Sequence, residues 1–309
     1  MSTPTVTGRS DIPRPAFQPI VVGIGEILWD LLPTGKQMGG APANFAYHAR
    51  ALGAESYIAS AVGDDGEGGE ILKILFDRQL DRRYIAVVPT IPTGTVTVGL
   101  DDEGIPRYAI RDNVAWDAIP WTTELSLLAA KADAVCYGTL AQRRGVTRAT
   151  VRSFLEATRP QCVTVLDLNL RQTFYGREIV RDLLSRSRVL KLNEEELMRV
   201  TRLLLISGAE TDILVRLRDL FSLDLIALTK GEKGSRLMGR HGESVHSGFP
   251  VEVADTVGAG DAFTAALVMG ILKQKNLDEI NERANRLASF ICSYQGAWPE
   301  LPAELTDWA

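Results

Sequence analysis

Two aspartates bracket a glycine-rich turn near the end of this 309-residue chain: Asp255-Thr256-Val257-Gly258-Ala259-Gly260-Asp261 runs directly into Ala262, Phe263, Thr264, Ala265, Ala266 and Leu267. Such a run suits phosphoryl transfer. Without a Cβ, Gly258 and Gly260 let phosphates approach the main chain, and the first amides of the helix that follows are donors with no intrahelical acceptor. The helix dipole adds roughly half a positive charge at the same end, so the turn can stabilise charge building on a γ-phosphoryl group. Asp261 falls in the first helical turn, where a carboxylate is favoured in any helix. A stabilising helix-start residue flanked by loop glycines is therefore the plain alternative.

Other constellations lie upstream. Gly25-Glu26-Ile27-Leu28-Trp29-Asp30 is followed by Gly39-Gly40-Ala41-Pro42-Ala43-Asn44 opening a helix. Position 28 is Leu, so Gly23-Ile24-Gly25 fails the dinucleotide-binding fingerprint, and there is no Walker A loop. An acid, a glycine pair and an Asn can bind adjacent sugar hydroxyls while the glycines let the ring approach; a turn-forming Asp and a helix-start Gly-Gly would read the same. Asp167, Asn169 and Arg171 alternate at a strand end, which points their side chains the same way if the strand persists. An Arg there suits bidentate contact with a phosphate or acidic group, or a surface salt bridge. Asn193 and Glu196 stand at a strand-to-helix junction, where Glu194 and Glu195 share the ordinary acidity of a helix start. Thr229-Lys230-Gly231-Glu232-Lys233-Gly234 follows a buried strand and also fits a tight turn between strands.

The elements that must position these residues alternate along the chain. Strands are expected at Ile20 to Ile24, Tyr57 to Val62, Ala134 to Tyr137, Cys162 to Leu166, Val189 to Leu192 and Leu223 to Leu228. Helices are expected at Asn44 to Leu52, Glu67 to Phe76, Val146 to Thr158, Glu178 to Ser185 and Glu194 to Leu203. This rhythm predicts an α/β fold, doubly wound, with a mostly parallel sheet, helices on both faces and ligands at the strands' carboxyl ends. Gly94 to Leu100 and Pro106 to Ile110, around Asp101, Asp102, Glu103 and Gly104, break the rhythm as a hairpin. It is a candidate lid or an antiparallel edge extension of the main sheet.

These motifs together resemble the ribokinase-like family, also called PfkB carbohydrate kinases, in family order from Pro19 to Pro302. The resemblance implies that Asp261 is the catalytic base that deprotonates a sugar hydroxymethyl, and that the amides of Gly258, Ala259 and Gly260 form the anion hole. It maps Asp30, Gly40 and Asn44 onto substrate hydroxyls, with Gly39 in support and Arg171 on the substrate. The wording of that first motif looks most like the fructokinase branch. Asn193 and Glu196 match the family's Asn-x-x-Glu element, in which Glu orders magnesium through water. Thr229, Gly231 and Gly234 match the nucleotide loop, and Asn285, eleven residues before Gly296, matches the adenine-side Asn. Asp255 matches a monovalent-cation site, and a structural Asp capping the loop reads the same way. The implied cofactors are ATP and Mg2+, with K+ at Asp255.

One departure stands out: only eight residues, Leu31 to Met38, separate Asp30 from Gly39, where relatives insert longer lid strands. The lid is therefore expected to be small and built mainly from Thr93 to Arg111, which weighs against a lid shared between subunits, while a homodimer remains the leading expectation. Residues 1–18 read as a flexible leader and 19–309 as one kinase domain.

Bulk properties agree with a small-molecule protein. A net charge of -5 leaves no global basic field, so nucleic acid is not an expected partner. No apolar run approaches a bilayer's thickness, and no membrane partner is expected. Cys136, Cys162 and Cys292 read as buried reduced thiols of a cytoplasmic protein. The expected activity is transfer from ATP to a primary hydroxyl, with D-fructose leading. The alternatives are 2-keto-3-deoxygluconate, whose carboxylate Arg171 would grip, other sugars or nucleosides, and a catalytically silent sugar sensor. A phosphorylated acceptor would need further basic residues, which Arg107 and Arg111 on the lid could supply.

Overall fold

The computed structural model describes residues 18–32, 35–100 and 106–307; most of the expected leader and the hairpin turn at Asp101 to Gly104 lie outside the described residues. Strands β1 (Ile20–Ile24), β4 (Glu55–Gly63), β5 (Ile85–Val88), β8 (Ala134–Tyr137), β9 (Val163–Asp167), β10 (Val189–Asn193), β11 (Leu225–Thr229), β12 (Ser235–Gly239) and β13 (Glu243–His246) form a nine-stranded sheet. Its order is β13-β12-β11-β10-β9-β8-β1-β4-β5, parallel except for the antiparallel edge pairs β11–β12 and β12–β13. The order reverses between β1 and β8, and in doubly wound sheets ligands bind outside the strands' carboxyl ends at such a point.

Ten α-helices connect these strands among the described residues: α1 (Ala41–Ala51), α2 (Gly66–Asp77), α3 (Thr123–Ala129), α4 (Gly145–Ala157), α5 (Arg177–Ser185), α6 (Glu194–Leu204), α7 (Glu210–Phe221), α8 (Ala259–Leu272), α9 (Leu277–Cys292) and α10 (Ala303–Thr306). Every residue of β8 and β9 is buried. Along β8, Val135 and Tyr137 enter one core cluster and Ala134 and Cys136 the other, so the period of two feeds two helical layers. Helix α8 is buried from Ala262 through Gly270. A helix apolar all round must be covered on all sides, here by the sheet, α1 and α9.

A second, four-stranded sheet has the order β3-β2-β6-β7, from β2 (Leu28–Leu32), β3 (Gly35–Gly39), β6 (Gly94–Leu100) and β7 (Pro106–Ile110). It is separate from the main sheet, as a lid requires, and not an edge extension. The expectation that the lid rests mainly on Thr93 to Arg111 is corrected, because the strands Leu28–Leu32 and Gly35–Gly39 supply half of it. The two five-residue strands include Asp30 and Gly39 themselves, and β2 and β3 pair antiparallel with Asp30 opposite Gln37. Asp30 is thus a lid residue. A second correction concerns Cys292, which is only half-buried, unlike Cys136 and Cys162. No helix among the described residues is long and apolar enough to cross a membrane.

Candidate active site

The glycine turn sits where α8 begins. Gly258 caps α8 with φ 79°, and an added Cβ would lie 2.6 Å from the Ala297 side chain, so both backbone and space demand glycine. At Gly260 an added Cβ would come 2.9 Å from the Lys191 ammonium. The helix thus starts with the buried Lys191 ammonium against Gly260, while the Ala259 N–H already donates to the Thr256 carbonyl at 3.3 Å.

Asn44 brings the two ends of the chain together. Its Nδ2 donates to Asp261 Oδ2 at 2.7 Å, across 217 residues of sequence, while its Oδ1 accepts from Trp298 Nε1 at 2.7 Å. Trp298 stacks on Tyr47 of α1 at 4.5 Å, and His48 shares a 2.9 Å hydrogen bond with the Ala297 carbonyl. Burial lowers the His48 pKa to about 4, so its neutral ring donates there. The wall behind Gly258 is therefore fastened to the helix that carries Asn44.

Burial raises the Asp261 carboxyl to about 6, with the Asp167 charge adding to the rise and Lys191 opposing it. Asp30 is raised to about 6 by burial, with Arg171 pulling it down. An added Cβ on Gly39 would lie 2.3 Å from Asp30 Oδ2, and one on Gly40, at φ 113°, 2.4 Å from the Glu26 carbonyl oxygen, so the glycine pair packs directly against the segment that carries Glu26 and Asp30. Arg171 is exposed, and its charge acts on Asp30, Glu26 and Asp261. The expectation that Asp167, Asn169 and Arg171 share one strand face is corrected. Strand β9 ends at Asp167 and the chain turns left-handed at Asn169, φ 42°.

At the start of α6 Asn193 and Glu196 form a capping box: Glu196 N–H donates to Asn193 Oδ1 and Asn193 N–H to Glu196 Oε2, both at 2.9 Å. Glu196 Oε1 also accepts from Leu170 N–H at 2.9 Å, and burial raises its pKa. Thr229 ends β11, and Gly231 and Gly234 lie in the turn to β12, so this loop is also a turn between antiparallel strands. Asn285 is buried and donates to Ser235 Oγ at 2.7 Å. Asp255 accepts from Val257 N–H and Gly296 N–H, each at 3.1 Å, tying the turn to the C-terminal loop.

Two residues escaped the sequence reading. Lys191 Nζ contacts both Asp167 oxygens, at 3.0 and 3.1 Å, deep beneath the glycine turn, and Thr264 Oγ1 donates to Asp167 Oδ2 at 2.8 Å. The signal was a lysine inside the otherwise apolar strand β10. Glu26 is 2% exposed, and its Oε2 has no hydrogen-bond partner. Burial raises it to about 7, with Asp261 adding to the shift. The signal was an acid straight after a buried strand.

Glu26 yields a stability prediction. Its folded pKa lies above the unfolded value of 4.5, so the folded state binds more protons and stability falls as pH rises from about 4.5 through about 7. Glu26→Gln removes that loss. Denaturant unfolding at pH 8 should show the variant more stable by up to about 3 kcal/mol, and the advantage should vanish below about pH 4.5. Equal differences at both pH values would show that Glu26 is not perturbed by burial.

The doubly wound sheet with a separate lid, and a glycine-turn helix start facing an acid and an Asn, define a sugar-kinase class of site. The pfkB family carbohydrate kinase model matches residues 33–304, and the chain belongs to that family of ATP-dependent phosphotransferases. A fructokinase of Klebsiella pneumoniae is 32% identical over 299 residues, covering 90% of this chain and 95% of the relative. An ATP-dependent 6-phosphofructokinase of Thermoanaerobacterium thermosaccharolyticum is 28% identical over 301 residues, covering 91% and 90%. The crystal structure of a sugar kinase from Pyrococcus horikoshii in complex with ATP superposes with a TM-score of 0.77 at 29% identity, covering 90% of this chain and 94% of that one.

Proposed function

We propose that this sugar kinase transfers the γ-phosphoryl group of ATP to a primary hydroxyl of D-fructose, giving fructose 6-phosphate. The single observation that carries the reading is the 2.7 Å contact between Asn44 and Asp261. It sets an acceptor-side amide beside a carboxylate at the mouth of an anion-binding helix start. Asp261 takes the proton of the attacking hydroxyl, held by Asp30, Gly39, Gly40 and Asn44. The amides of the Gly258-Ala259-Gly260 turn, at the start of α8, meet the charge on the transferred group. Asn193, Glu196, Thr229, Gly231, Gly234 and Asn285 line the nucleotide side, and the lid sheet excludes water.

No group of three or more Asp, Glu, His or Cys forms a metal cage among the described residues, and both Glu196 oxygens already accept main-chain N–H groups. This donor set fits magnesium held by phosphates and water, with Glu196 acting through water. The ion would supply charge neutralisation on the phosphates. Asp255, whose two oxygens accept the Val257 and Gly296 N–H groups, is the residue that would hold potassium.

Relatives named for fructose and for its 6-phosphate lie at comparable identity, so the acceptor is decided by assay. Purified protein with ATP and magnesium should consume ATP with D-fructose and not without an acceptor; no turnover on any ketohexose, pentose, nucleoside or keto-deoxy acid would overturn the reading. A second reading, 2-keto-3-deoxygluconate, is favoured by the exposed Arg171 guanidinium, which makes no ion pair among the described residues. Higher kcat/KM on that acid would select it.

The raised acid also fixes a pH profile. Asp261 must be ionised to accept a proton, so log(kcat/KM) should climb with slope one below pH 6 and flatten above it, Asp30 steepening the limb. A limb centred near pH 4 would mean that the base is not buried.

A further inference from the structure

A basic cavity of about 480 Å³ is lined by residues outside every site considered so far. One wall is the first turn of α5, where Gly176 caps the helix without a side-chain hydrogen bond. The amides of Arg177, Glu178 and Ile179 have no intrahelical acceptor and carry the positive end of the helix dipole.

A second, independent feature is Arg143, whose side chain lines the cavity and is only 3% exposed. Its guanidinium is sandwiched between Trp116, 4.0 Å from the ring centre, and Phe174, at 4.8 Å. Nε and Nη2 donate to the two oxygens of Asp117, each at 2.7 Å, and Nη2 also to the Arg111 carbonyl at 2.8 Å. A guanidinium is a rigid planar fork, so with Nε and Nη2 held by Asp117 the remaining nitrogen, Nη1, is left buried with no hydrogen-bond partner in a residue that lines the cavity. A buried donor without an acceptor costs stability unless a ligand supplies one. The charge balance has the same sign. Asp117 neutralises Arg143, whereas Arg148 and Arg177 line the cavity without an ion pair among the described residues, against the single exposed carboxylate of Glu178.

The geometry points to an anion subsite between α4 and α5 that binds a phosphate group, free or as a small phosphate monoester, on the α5 amides, Arg148, Arg177 and the unpartnered Nη1 of Arg143. Phosphate suits this donor set because three amides and three guanidiniums offer more N–H groups than one carboxylate can accept. The cavity volume leaves room for a small sugar or glycerol moiety.

Amide-resolved NMR of the full chain, with a non-hydrolysable ATP analogue saturating the nucleotide side, tests this without any turnover. Inorganic phosphate and glycerol 3-phosphate are titrated separately, with glycerol as the neutral control. Saturable shifts at the amides of Arg177, Glu178 and Ile179 are expected from at least one phosphate, and the tighter arm identifies its source. Arg177→Glu, at an exposed position, and Arg148→Glu should each weaken binding by about tenfold, the loss of one charge-assisted contact. Unmoved α5 amides, equal shifts with glycerol, or unchanged affinity in Arg177→Glu would overturn the proposal.

Discussion

Asp261→Asn is expected to lower kcat by about 10²–10⁴-fold, some 3 to 5 kcal/mol of barrier, while sugar affinity changes by no more than a few-fold. The asymmetry follows from what the substitution keeps. The amide oxygen can still accept from Asn44 Nδ2, now 2.7 Å from Asp261 Oδ2, so the link between the ends of the chain survives. Asp30 and the glycines that shape the acceptor side are untouched. What is lost is a group able to hold a proton in transit. Initial rates with saturating ATP, paired with equilibrium sugar binding, separate the two quantities. Equal rates in variant and parent would remove Asp261 from the role of base. A parent that binds sugar but never consumes ATP would instead reveal the sensor.

The main architecture was legible because periodicity reports burial directly. β8 lies where the apolar run Ala134 to Tyr137 predicts it, and α5 and α6 begin or end within a residue of their expected bounds. The lid was half legible. Gly-Lys-Gln-Met-Gly in β3 carries almost no strand propensity, and its pairing with β2 is set by the neighbour across the ladder. Asn169 shows the opposite failure, because alternation of Asp167, Asn169 and Arg171 reads as a strand while a single left-handed residue redirects the chain.

The same limit hid the charges under the glycine turn. Spacing along a chain says which residues share a face, but not which buried groups meet across the sheet. Lys191 and Asp167 sit on adjacent parallel strands in direct register. That register comes from the pairing of β9 with β10, invisible in either segment alone. Their meeting point beneath Gly260 turns two strand residues into part of the turn's electrostatics.

Lys191→Met should therefore be costly in two ways. The side chains of Lys191 and Asp167 are 9% and 5% exposed, and removing one partner of such a pair leaves an uncompensated buried charge, for a loss of about 3–5 kcal/mol in denaturant unfolding. The Asp167 charge raises the Asp261 pKa and Lys191 lowers it, so losing the lysine alone moves the acidic limb of kcat/KM upward from about pH 6. The double variant Lys191→Met/Asp167→Leu separates folding from chemistry. Apolar replacement of a buried pair is often neutral or stabilising, so its stability should return, and the limb should return toward pH 6 because both opposing charges are gone. Its kcat should stay well below that of the parent, since no ammonium remains against Gly260 to add positive charge where the phosphoryl group passes. Recovery of kcat along with stability would assign Lys191 to the scaffold and leave the amides alone to meet that charge.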